Sequence, residues 1–94
     1  SLVSSTDEQK LPENTMVVAP NPVSDNLQIA LQFEKATDAT ITIADLNGRV
    51  IRFDNREGLS NETLRYPVNA LPSGTYFVRI ATASGTLTKK FVKL

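Results

Sequence analysis

Apolar residues in this chain recur at every second position, in short runs that turn residues keep interrupting. Leu27, Ile29, Leu31 and Phe33 alternate with Gln28, Ala30 and Gln32. A period of two puts one set of side chains on each face of a pleated strand, so this stretch predicts a half-buried strand. Ile41 and Ile43 repeat the pattern between Thr40, Thr42 and Ala44, and Tyr76, Val78 and Ile80 repeat it between Phe77, Arg79 and Ala81. Residues 16–19, residues 50–53 with Val50, Ile51 and Phe53, residues 64–68 with Leu64, Tyr66 and Val68, and residues 86–94 complete seven expected strands. No segment carries a helical period; residues 34–38, EKATD, are too short and end at a turn. The fold expected is all-β, an antiparallel β-sandwich of about seven strands in two packed sheets.

The turns sharpen this reading. Asp45-Leu46-Asn47-Gly48 separates two runs. A two-residue Asn-Gly loop would pair Ile43 with Arg52 and put apolar residues on opposite faces. A three-residue loop with a left-handed Gly48 pairs Ile43 with Ile51, Ile41 with Phe53 and Asp45 with Arg49, and is the one expected. Leu71-Pro72-Ser73-Gly74 is a second tight turn, with proline where φ is preset. Ala83-Ser84-Gly85 turns back into the last run; Leu87 with Phe91 suggests one register there, Val92 with Leu94 the other. In VAPNPVSDNLQI, Pro20 and Pro22 cannot donate to a ladder, so they predict a stiff extended corner rather than a central strand.

Chemistry is sparse. The 94 residues hold no cysteine and no histidine, which excludes disulfides, thiolate nucleophiles, the usual zinc sites and imidazole catalysis. Asp25, Asp38, Asp45, Asp54, Glu57 and Glu62 sit in or near expected turns, without the spacing of a glycosidase pair or the dense run of a calcium loop. Ser24, Ser60, Ser73 and Ser84 have no partner base, and Gly48, Gly58, Gly74 and Gly85 form no phosphate loop. Asn61-Glu62-Thr63 fits the N-glycosylation pattern, a match common by chance. No catalytic residue, cofactor or metal is expected, and no apolar run reaches the roughly 20 residues of a spanning helix. The residues alone indicate a small β-sandwich appended to something larger, since the chain starts at Ser1 with a polar stretch, residues 1–14, read as a linker.

Charge is balanced at ten acidic and ten basic residues, but all ten acids lie at or before Glu62. Residues 63–94 carry Arg65, Arg79, Lys89, Lys90 and Lys93 and no acid. Two readings stay open: an interaction surface near the C-terminus, or an asymmetry that folding interleaves away. Lys89, Lys90, Phe91 and Lys93 mix charge with a ring, yet a pI of about 6.1 and few aromatics argue against nucleic acid. A basic edge strand that resists aggregation is the default.

APNPVSDNLQI, ITIADLNGRVI, LPSGTYFVRI and TKKFVKL, in that order from Ala19 to Leu94, resemble the C-terminal sorting domain of the type IX (Por) secretion system of Bacteroidetes. The pattern falls on Pro20, Asn21, Pro22, Asp45, Gly48, Arg49, Leu71, Gly74 and Tyr76. Ala19 stands where an aromatic is common in the family. The resemblance implies an immunoglobulin-like sandwich of seven strands over residues 15–94, noncatalytic, behind a secreted cargo. It implies passage through the periplasm, recognition by the outer-membrane translocon, and removal at the cell surface by a sortase-like protease cutting within residues 1–14. Ending at Leu94 directly after KKFVK fits such a signal. Lys89, Lys90, Phe91, Lys93 and Leu94 are the residues expected to meet the translocon. The other readings are an immunoglobulin-like carbohydrate-binding or adhesive module, which needs exposed aromatics, and a structural spacer. An exposed edge also leaves room for a homodimer.

Overall fold

The computed structural model describes residues 10–94. A 3₁₀ turn at Glu13–Thr15 leads into five strands: β1 (Met16–Ala19), β2 (Asn26–Asp45), β3 (Val50–Pro67), β4 (Gly74–Thr82) and β5 (Gly85–Lys93). All ladders between them are antiparallel, and β2 is the hub. β1 pairs with its first half, from Met16↔Leu31 to Ala19↔Gln28. β4 pairs with its second half, from Ala39↔Thr82 to Asp45↔Tyr76. β3 follows the other side of β2 along both halves, and β5 lies outside β4. The result is one curled antiparallel sheet.

Five strands replace the seven expected. The runs at 27–33 and 40–44 are one strand of 20 residues, and those at 50–53 and 64–68 are one strand of 18. Residues 34–38 and 54–63 read as turns because they are polar. Along 54–63, however, most residues are paired with β2 whatever their side chains are, while of 34–38 only Thr37 is paired and the rest form an irregularity within the strand. The register slips between Gln32 and Thr37 and again between Thr37 and Ala39, and such slips bend a strand pair. Gly58 sits at this bend with φ 66°, and its N–H donates to Asp38 Oδ1 at 3.0 Å.

Curling lets both halves of β2 serve one core. Leu27, Ile29 and Leu31 from the first half and Ile41 and Ile43 from the second join Met16, Val78, Ile80, Leu87 and Phe91 in a single buried cluster. Each such side chain contributes about 1.5–3 kcal/mol on leaving water. Residues 1–9, which hold most of the expected linker, lie outside the described residues. Lys10 bridges Thr86 in parallel, the Leu11 N–H donates to the Thr86 carbonyl at 2.8 Å, and the Leu11 side chain is buried.

The β2–β3 hairpin corrects a second expectation. Asp45 does face Arg49, with its N–H donating to the Arg49 carbonyl at 3.0 Å, and Gly48 is left-handed at φ 84°. A further bulge follows at once, however: Ala44 pairs with Val50, and Ile43 pairs with Arg52 rather than Ile51. Ile41 therefore opposes Asp54, and Phe53 is carried to the outer face, where it is 62% exposed. A one-residue slip exchanges the two faces of a strand. The core-side places are held by a polar group. The Tyr66 hydroxyl donates to Asp54 Oδ2 at 2.7 Å, Arg56 Nε donates to the same oxygen at 2.9 Å, and the Arg52 guanidinium lies 4.9 Å from the Tyr66 ring centre. In the last hairpin Leu87 and Phe91 share the core side, opposite Ile80 and Tyr76.

Candidate functional site

The proline corner and the last strand form one unit. Pro20 and Pro22 flank Asn21, whose side chain reaches across to β5. The Val92 N–H donates to Asn21 Oδ1 at 2.9 Å, and Asn21 Nδ2 donates to the Lys90 carbonyl at 3.3 Å. One carboxamide thus supplies an acceptor and a donor, as a neighbouring strand would. Val23 continues the contact through its backbone: its N–H donates to the Val92 carbonyl at 2.9 Å, and its carbonyl accepts from the Leu94 N–H at 2.9 Å. The Val23 side chain is fully buried. β5 is therefore a covered edge, capped by Leu11 near its start and by residues 21–23 near its end.

Alternation along β5 splits the five terminal residues expected to meet a translocon. Phe91 is wholly buried, its ring stacked on Tyr76 with centroids 5.5 Å apart. Lys93 is only 8% exposed, and its Nζ donates to the Leu94 carbonyl oxygen at 2.8 Å. Lys89 is partly covered and lies 3.5 Å from Glu13, so part of the charge asymmetry along the chain is interleaved in space. Lys10 also pairs with Glu13, at 2.8 Å, and that hydrogen bond first, with Lys89 adding, holds the Glu13 carboxyl below its ordinary range. Lys90 and Leu94 project from the body.

The remaining motif residues build turns. Asp45 Oδ1 accepts from the backbone N–H groups of Arg49 at 2.9 Å and Asn47 at 3.0 Å, and Oδ2 lies 3.2 Å from Arg49 Nε. The Arg49 N–H bond is the leading reason its carboxyl is held low. Tyr76 enters β4 with its hydroxyl donating to the Pro72 carbonyl at 2.6 Å, which ties the Leu71–Gly74 turn to the strand. An open groove of about 990 Å³ lies at the β2 bend, beside Phe33, Lys35, Asp38 and Ser84. Among the described residues no cluster of acids is placed to hold a metal ion.

The proline clasp, the Asp45 turn, the tyrosine turn and the terminal basic strand are parts of one sheet, in the order that the sequence resemblance required. The family model for the secretion system C-terminal sorting domain matches residues 17–94. The chain belongs to the type IX secretion C-terminal sorting domain family. No curated protein matches it. A sorting domain of this family is a signal for type IX secretion, noncatalytic in general, on a protein exported to the cell surface or secreted. Sequence reasoning missed the Asn21 clasp in this sorting domain. Its partners are 69 and 71 residues away, and no local signal names them.

Proposed function

We propose that this chain is the export address of a larger protein of a Bacteroidetes cell. A cargo precedes it, the outer-membrane translocon reads it, and a sortase-like surface protease cuts within residues 1–14 to release it. Membership of the sorting-domain family over residues 17–94 carries the reading. We also read the curled sheet as an immunoglobulin-like sandwich. The bend in β2 and β3 supports this, as does the Tyr76 hydroxyl tied back to backbone four residues upstream, a feature of that architecture. Of the expected contact residues, Lys90 and Leu94 are the ones presented for recognition, while Phe91, Lys89 and Lys93 hold β5 in place.

The test fuses residues 1–94 behind a periplasm-directed reporter in a host with this secretion system. The full chain should carry the reporter to the surface, and a version lacking residues 89–94 should not. Because that deletion also removes buried Phe91, the pair Lys90→Glu and Leu94→Asp is run beside it. Equal surface delivery by all versions, or by none, would refute the reading.

A further inference from the structure

Two of the six aromatic residues do not enter the core. Phe53 is exposed and Phe77 half-buried, and the register brings both to the outer face of β3, β2, β4 and β5. Three rows cross that face. The first runs Val50, Ala44, Phe77, Lys90; the second Phe53, Thr42, Arg79, Thr88; the third Asn55, Thr40, Ala81, Thr86. Paired residues share a face, and the neighbours Ile41, Ile43, Val78 and Ile80 are buried, so these rows look outward. They contain two rings, two cations and no acid.

We propose that this outer face is the docking surface through which the export machinery holds the domain, and that its partner is a protein surface with apolar residues among acidic ones. This rests on the sorting reading above and assigns it a surface. The charge argues for the partner: in a chain with ten acids, the rows that face water here carry none, while Lys90, exposed and paired with Phe77, supplies positive charge beside a ring. An acid-free face favours acidic partners and rejects basic ones. Size argues the same way. Four strands about 4.8 Å apart and five residues at about 3.4 Å each cover on the order of 300 Å². That is well under the roughly 800 Å² per partner of a stable complex, and it suits a contact that must let its passenger go. The covered β5 edge also leaves side chains on a face, rather than strand addition at that edge, as the means of recognition.

The experiment uses the reporter fusion with Phe53→Asp, Lys90→Gln and Lys90→Glu. Val17→Asp, an exposed position on β1, is the control, and circular dichroism of each purified chain checks folding. Phe53→Asp should cut surface delivery about tenfold. Lys90→Glu should cut it further than Lys90→Gln, and Val17→Asp should leave it unchanged. If folded Phe53→Asp and Lys90→Glu deliver as the parent does, while loss of residues 89–94 abolishes delivery, the docking face is wrong and the sorting function stands. If the parent itself is not delivered, both fail. A parent chain that sediments as a dimer and becomes monomeric with Phe53→Asp assigns the face to a second copy and overturns the proposal.

Discussion

Removing the Asn21 carboxamide tests the link between the proline corner and the last strand. Asn21→Ala deletes the acceptor for the Val92 N–H and the donor to the Lys90 carbonyl. Each hydrogen bond contributes about 0.5–1.5 kcal/mol net. Asn21 is exposed, so water replaces part of what is lost, and the low half of the range applies: about 1–2 kcal/mol for the pair. For a domain of this size that lowers Tm by about 4–15 °C. Urea unfolding followed by circular dichroism gives the equilibrium value. The loss is also local, since Val23 keeps its own bonds to Val92 and Leu94. Amide exchange should therefore rise at Val92 far more than at Val78 or Ile80 in the core. Asn21→Asp keeps the acceptor but sets a carboxylate against the Lys90 carbonyl, so it should fall below wild type while retaining Val92 protection. Unchanged stability in Asn21→Ala together with unchanged Val92 exchange would mean that the side chain does not close this edge.

Two further outcomes follow from the core. Phe91→Ala empties a fully buried site and unstacks Tyr76, and should cost about 3–5 kcal/mol in urea unfolding. For the Tyr66–Asp54 pair, burial first and the Asp54 bond second push the Tyr66 hydroxyl up to about 12. The folded state thus holds this proton more tightly than the unfolded chain, and the stability it supplies is complete below about pH 10 and lost as pH rises toward 12. At the acid end the Tyr66 bond holds the Asp54 carboxyl low, so its contribution is present above about pH 4 and is lost as pH falls below that. Absorbance titration at 295 nm should show one tyrosine ionising near 12, and Tyr66→Phe should remove that step and flatten the alkaline limb of the stability curve.

Covering the β5 edge has a further consequence. An open basic edge strand relies on lysine charge to repel other chains. Here Leu11, Asn21 and Val23 occupy the edge instead, Lys93 is buried, and Lys90 and Leu94 stay exposed.

Local order alone fixed much of this protein. The two-residue period at Leu27–Ile29–Leu31 and at Tyr76–Val78–Ile80 makes strands in any context, because pleating sends alternate side chains to opposite faces. Asp45, Gly48 and Arg49 lie within five residues and could be read as a turn, since every partner of that turn is in it. What lay beyond local order was set by the tertiary structure. The bulge after Val50 decided that Ile43 meets Arg52 and that Phe53 faces water, and nothing in VIRF announces an extra residue. Seven runs became five strands because β2 and β3 carry on through polar stretches that look like turns in isolation, paired along most of 54–63 and interrupted by register slips around 34–38. Asn21 found Lys90 and Val92 only once the sheet had curled. A strand's period is written within it, but the register between strands belongs to the pair, and register determines which side chains reach the core and which remain to be recognised.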